Sequence, residues 1–136
     1  MSKKIKALIA VGGTGGHVLP GCNLAKHLID KNYEVNVTTD QRGYKFLRNY
    51  KNLNVSILPS SPLIKSNLFR FLVSLSFIFY SIIKSLIFLI SNRPSIIFGM
   101  GGYSSFPICI AATLLRVKFI IYENNLIIGK ANKYLL

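Results

Sequence analysis

Apolar and polar positions switch repeatedly between two periods along this chain. The run 5–11 is short, mostly apolar and closed by glycines, the pattern of a buried strand. Over 18–31 the period changes: Leu19, Leu24, Ala25, Leu28 and Ile29 recur at helical spacing. A second strand is predicted over 34–39, a short helix over 42–50, and a third strand over 54–58 that Pro59 and Pro62 stop. One long apolar helix follows over 68–91, then a strand over 95–98, a helix over 106–115, a strand over 118–122 and a helical stretch from Ile127. Such alternation predicts an α/β fold, a Rossmann-like parallel sheet with helices on both faces. The 136 residues suffice for one domain, 1–136, and not for two. In sheets of this kind ligands bind beyond the carboxyl ends of the strands. The turns after the first, fourth and fifth strands are all expected at that edge.

Composition narrows the setting. Hydrophobic residues make up 51% of the chain, and 17 Lys and Arg face only Asp30, Glu34, Asp40 and Glu123, a formal charge of +13. A balance this basic attracts polyanions or an anionic membrane surface. The basic residues are scattered, with no RNA-binding signature or helix-turn-helix pattern, so nucleic acid is not expected as a partner. A mean hydropathy of +0.42 beside that charge fits a membrane surface better. Cys22 and Cys109 form no C-x-x-C pair and read as reduced, buried thiols of a cytoplasmic protein. The basic start and apolar run 5–11 look superficially like a signal peptide, but the run is short and ends in a glycine turn.

The chemistry concentrates in two glycine loops. Gly12-Gly13-Thr14-Gly15-Gly16-His17 lies between a strand and a helix, where close backbone approach and the positive end of the helix dipole suit a phosphate or diphosphate. It lacks the Gly-Lys-Ser/Thr of a P-loop. It is an imperfect dinucleotide fingerprint as well, because Val18 stands where the third glycine belongs; in that alternative Asp40 is the candidate ribose-binding acid. Gly99-Met100-Gly101-Gly102-Tyr103 repeats the device after the fourth strand, which a dinucleotide site does not obviously require. His17, at the mouth of the first loop, is the candidate general base, against a simpler role capping the helix or binding phosphate. His27 reads as a surface or packing residue. Glu123 is the only acid at a cleft-edge turn, placed to orient a substrate hydroxyl or to accept backbone hydrogen bonds. No Asp-x-Asp motif and no Cys/His cluster of metal spacing occurs, so a metal-independent reaction without cofactors is expected.

Residues 12–21, 99–103 and the block Tyr122-Glu123-Asn124-Asn125 continuing to Gly129 and Asn132-Lys133 together resemble, in order and spacing, the MurG-type transferases of glycosyltransferase family 28. The resemblance covers nearly the whole chain. It implies the N-terminal, acceptor-binding half of a two-domain GT-B enzyme, with the C-terminal donor-binding domain absent from these residues. The implied reaction is transfer of GlcNAc from UDP-GlcNAc to the MurNAc 4-hydroxyl of an undecaprenyl-diphosphate-linked MurNAc-pentapeptide, with inversion, at the cytoplasmic face of the cell membrane. It further implies His17 as catalytic residue, Thr14, Gly15 and Gly16 lining the cleft, Gly101, Gly102 and Tyr103 with the acceptor diphosphate, and Asn125 and Glu123 near substrate. Tyr122, Asn124 and Leu126 depart from the family's usual His, Gln and Gly.

Two features lie outside that core. The helix over 68–91 is apolar enough that its 71–90 stretch, roughly 30 Å long, has the length of a membrane span. As the crossover between two strands of one sheet, it is expected instead to lay one face on the sheet and dip another into the membrane interface, with Lys45, Arg48, Lys51 and Lys65 toward anionic headgroups. The last residues, 130–136, read as the first turns of a helix without a stop signal, expected of a truncated product or of one half of a split transferase whose other subunit carries the donor site. The remaining alternatives are a dinucleotide-binding module and a non-enzymatic membrane-surface protein.

Overall fold

The computed structural model describes residues 4–123, 125 and 127–136. Five strands form one parallel sheet: β1 (Lys6–Ala10), β2 (Glu34–Thr39), β3 (Asn54–Ile57), β4 (Ile96–Gly99) and β5 (Phe119–Ile121), in the order β3-β2-β1-β4-β5. The helices are α1 (Gly15–Asp30), α2 (Gln41–Leu47), α3 (Leu68–Asn92), α4 (Ser105–Leu114) and α5 (Lys130–Lys133). Strand order runs one way from β1 to β3 and the other from β1 to β4, so the chain reverses direction across the sheet between β1 and β4. A crevice opens at such a reversal, because the connections leaving the two neighbouring strands go to opposite faces.

Each face of the sheet has its own core. On one, Ile9, Val11 and Val37 pack against Val18, Cys22 and Ala25 of α1 and Leu47 of α2. On the other, Leu8, Ala10 and Ile97 pack against Leu89 of α3 and Ile108, Ala111 and Ala112 of α4. Alternate residues of β1 thus serve opposite layers, the period-two rule of a doubly covered strand. Both cysteines are free and buried, and burial pushes the Cys109 thiol up to about 12.

The strand ladder ends in register at one edge. Val11 N–H donates to Thr38 O, Met100 N–H to Ala10 O, Leu58 N–H to Thr39 O and Tyr122 N–H to Gly99 O, at 2.8–2.9 Å. These bonds bring the turns after all five strands to the same side. The turn after β5 is tied by one carboxylate. Glu123 accepts from Gly129 N–H at 2.8 Å, from Asn132 Nδ2 at 3.0 Å and from Asn125 N–H and Nδ2 at 3.2 and 2.8 Å. The Gly129 amide above all, then the Asn125 and Asn132 donors, hold the Glu123 carboxyl down to about 2 against the opposing effect of desolvation.

The crossover helix α3 reverses the usual polarity of a packed helix. Its buried residues are Ser74, Ser81, Ser85 and Leu89, while Leu68, Phe69 and Phe79 are 74%, 76% and 65% exposed. Ser81 donates to Phe77 O at 2.8 Å and Ser74 to Phe71 O at 2.9 Å, bonds that let a hydroxyl sit at a helix interface. Small side chains there let α3 lie close against α4. It is the one described helix long and apolar enough to cross a membrane, yet only 22% of its most apolar 18-residue window is buried within the chain. The packed face of α3 lies chiefly on α4, not on the sheet as expected, reaching the sheet core through Leu89, and serine rather than aliphatic side chains make most of it. Lys45, Arg48 and Lys51 belong to α2 and the segment after it, on the opposite layer from α3, and only Lys65 of that expected group directly precedes α3.

Two measurements follow from this packing. A methyl group at Gly21 would run into Val11 Cγ1. Gly21→Ala should therefore lower thermal stability by about 1–3 kcal/mol from overpacking, overriding the gain of about 1 kcal/mol from alanine's helix propensity; adding Val11→Ala should recover part of the loss. Glu123 has a depressed carboxyl, so its contribution is present above the ordinary value of 4.5 and is lost as pH falls through about 2. Protection of the Gly129 amide against hydrogen exchange, corrected for intrinsic rate, should fall across that window. It should be low and flat with pH in Glu123→Gln.

Candidate functional site

The first loop begins where β1 leaves the sheet. Thr14 takes the N-cap position of α1 with extended backbone, and its carbonyl accepts from His17 N–H and Val18 N–H, both at 3.1 Å. The helix therefore starts inside the glycine run, three residues earlier than the apolar spacing predicted, and Gly15 and Gly16 form its first turn. Thr14 and Gly16 are exposed, and a Cβ at Gly16 would meet nothing within 4 Å, so this turn opens to solvent.

The second loop leaves β4 with Gly101 and Gly102 at φ +91° and +79°, a conformation that resists any side chain. The two loops touch. A Cβ on Gly12 would fall 2.8 Å from Gly101 O and 2.8 Å from His17 Cδ2, and one on Gly102 would fall 2.9 Å from Gly12 Cα. The His17 ring fills the seam: a Cβ on Gly101 would stand 3.0 Å from its Cε1 and 3.1 Å from Nδ1. The expected site residues Thr14, Gly15, Gly16, His17, Gly101 and Gly102 are thus gathered at the β1/β4 reversal, where the sheet's crevice lies.

The third block reaches the same place through a residue that sequence spacing did not single out. Asn132 is 2% exposed, and its Nδ2 donates to Glu123 Oε2 at 3.0 Å and to Tyr122 O at 3.3 Å, while lying 3.6 Å from where a Gly101 Cβ would be. Its Oδ1 and His17 Nδ1 are both buried and without a hydrogen-bond partner among the described residues. Buried polar atoms ordinarily find partners, so these two, one of them beside Gly101, set His17 and Asn132 apart from the rest of the polar core. Its only sequence signal was membership of the Asn132-Lys133 pair. Glu123 spends its carboxylate on the turn, the backbone-accepting role of the two foreseen, and it holds Asn125 at an exposed position. Asn124 and Leu126, where the family pattern is broken, lie outside the described residues. Tyr103 is half-buried and turns toward α3, α4 and α5.

Asp40 does not have the free carboxylate a ribose would need. It caps α2, accepting from Arg42 N–H at 3.0 Å and Gly43 N–H at 2.9 Å, and takes Arg42 Nε and Nη2 and Ser60 Oγ on its other oxygen. Burial pushes this carboxyl up, and the Gly43 amide, Arg42 and Ser60 together more than reverse that. The consequence is a fixed ion pair at the first glycine loop: Arg42 Nε lies 3.0 Å and Asp40 Oδ1 3.1 Å from where a Gly13 Cβ would be. Ser60 also approaches Ser104 Oγ at 3.4 Å, tying the segment after β3 to the second loop. The described residues contain no group of three or more His, Cys, Asp or Glu able to hold a metal ion.

Comparison with known proteins agrees with this architecture. Residues 7–136 match the glycosyltransferase family 28 N-terminal domain. The chain is 41% identical over its full length to 37% of a protein of Pelagibacter ubique named UDP-N-acetylglucosamine--N-acetylmuramyl-(pentapeptide) pyrophosphoryl-undecaprenol N-acetylglucosamine transferase. It is 40% identical to a Rickettsia felis protein of the same name, over 95% of this chain and 34% of that one. It therefore spans little more than a third of the length of these relatives. A crystal structure of Acinetobacter baumannii MurG superposes with a TM-score of 0.83 over 96% of this chain and 38% of its own, at 23% identity, so the fold is that of the N-terminal half of a GT-B glycosyltransferase. By sequence and fold together, the chain belongs to the glycosyltransferase family 28 N-terminal domain family.

Proposed function

We propose that this chain is the acceptor-binding half of an inverting, UDP-GlcNAc-dependent transferase of peptidoglycan synthesis. The acceptor is a MurNAc-pentapeptide carried on a polyprenyl diphosphate, and the 4-hydroxyl of MurNAc receives the sugar. The observation that carries the reading is the closure of two glycine loops around His17 at the β1/β4 reversal, with the Asp40–Arg42 ion pair beside the first. Backbone amides and a helix start at one crevice suit a diphosphate. The names borne by the Pelagibacter and Rickettsia relatives supply the donor and acceptor.

In this reading the acceptor hydroxyl oxygen attacks the anomeric carbon of the donor sugar. The new C–O bond forms as the bond from that carbon to the UDP oxygen breaks, and UDP leaves with the electron pair. His17 takes the hydroxyl proton. Its Nδ1 is buried beside Gly101 and its Nε2 lies beside Gly102, and Nε2 is the nitrogen assigned to this task. Thr14, Gly15 and Gly16 border the acceptor, Gly101 and Gly102 give their backbone to its diphosphate, Tyr103 lies beside it, and Glu123 acts by fixing the turn that presents Asn125 to the donor sugar. Most of the UDP-GlcNAc contacts belong to a C-terminal domain beyond these residues.

The outward face of α3 supports a peripheral position on the cytoplasmic membrane surface. Leu68, Phe69, Leu72, Phe79 and Ile87 are exposed, and Lys65, Arg70 and Arg93 lie at or near the helix ends. An apolar strip flanked by cations fits an interface of acyl chains and anionic headgroups.

In the transferase completed by a donor-binding half, His17→Ala should lower kcat/KM by about 10²–10⁴-fold, the usual worth of a positioned base, with acceptor binding retained. A rate within a few-fold of the parent would remove His17 from the chemistry.

A further inference from the structure

An apolar groove of about 420 Å³ lies between α3, α4 and α5, lined by Leu75, Ile78 and Ile82 of α3, Phe106 and Ile110 of α4, and Tyr134. Its volume is in the range of about 300–1,000 Å³ typical of small-molecule sites. It differs from the outer face of α3, because helices wall it on more than one side. A second hollow of about 600 Å³ adjoins it and shares Leu63, Tyr103 and Tyr134, but its remaining wall is Lys65, Lys130 and Lys133. Among the described residues no acidic side chain lines either hollow. An apolar trough with a cationic mouth is therefore built beside Tyr103, the residue that directly follows the positive-φ pair Gly101 and Gly102.

We propose that this trough receives the first isoprene units of a polyprenyl diphosphate, with Lys65, Lys130 and Lys133 attracting the diphosphate at its mouth. The inference rests on the lipid-diphosphate acceptor proposed above and gives that acceptor's tail a place within the domain. Charge and shape commit the pair of hollows to this occupant: the amphiphile must carry an anionic head and an apolar tail joined at one point, and Tyr103 stands at that junction. A glycine loop that holds the diphosphate on one side of Tyr103 directs the tail to the other side, into the trough and along α3 toward the membrane.

The test measures binding to the 136-residue chain of three soluble probes: inorganic diphosphate, farnesyl diphosphate and farnesol. Farnesyl diphosphate should bind at least about tenfold more tightly than inorganic diphosphate, and farnesol weakly. Ile78→Ser should lower farnesyl diphosphate affinity about tenfold, as expected for loss of a few methylenes of apolar contact, and leave inorganic diphosphate unchanged. Ile82→Trp, which fills the trough instead of emptying it, should do the same, so a folding defect in one variant does not decide the matter. Phe69→Ser, on the outer face of α3, should leave farnesyl diphosphate binding intact. Equal affinity for farnesyl and inorganic diphosphate overturns the tail site while leaving the diphosphate reading standing. Equal loss in Phe69→Ser and Ile78→Ser overturns it too, since the tail would then be on the outer apolar face. Failure of inorganic diphosphate to bind, with farnesyl diphosphate and farnesol binding alike, overturns the cationic mouth and the diphosphate reading together.

Discussion

The architecture depends on how closely two backbones can approach at the β1/β4 reversal. Parallel strands must end at a common edge for the crevice to form, and the amide ladder from β3 to β5 enforces that edge. The loops leaving β1 and β4 then meet because Gly12, Gly101 and Gly102 carry no side chains of their own, and the His17 ring lies against all three. Any larger residue at these positions forces the loops apart and evicts the His17 ring from their seam. What the crevice offers a ligand follows from that contact: amides of two loops, one imidazole, and through Asn132 the turn governed by Glu123.

Around this contact the polar groups divide between frame and site. Asp40 and Glu123, two of the four acids, are consumed in holding loops in place. The Asp40–Arg42 ion pair stands beside Gly13, with guanidinium and carboxylate both 3.0–3.1 Å from where a Gly13 Cβ would be, so it fixes the loop's border with little net charge. Among the described residues His17 Nδ1 and Asn132 Oδ1 are left without partners, and His17 Nδ1 and Asn132 Nδ2 border Gly101. The layer beyond follows the same economy of position. Serines on the inner side of α3 permit close packing on α4, and the bulky apolar residues are released outward and into the trough beside Tyr103.

The fold was legible because its signals are local. The limits of β2 were predicted to the residue, and every other strand to within one or two, since apolar runs closed by glycine or proline carry their own punctuation. The start of α1 was placed late because Gly15 and Gly16 read as loop, whereas the helix begins within them. The convergence of the glycine loops followed from parallel topology alone. Asn132 stood in the sequence only as a member of the third block, because its place beside Gly101 depends on α5 folding back, which no local pattern encodes. Asp40 was open to a ligand role only while Arg42 and Ser60 were not known to close on it. The serine face of α3 was available in the spacing of Ser74, Ser81 and Ser85, but the surrounding apolar residues obscured it.

The central claim is that the two glycine loops form one anion-binding crevice. Titrating the isotopically labelled chain with inorganic diphosphate, while following backbone amide resonances, tests it most directly. The account predicts that the amides of Gly13, Gly15, Gly101 and Gly102 shift together along a single binding isotherm, accompanied by the His17 ring. Shifts confined to one loop, or to lysine-bearing surfaces away from both, would contradict it.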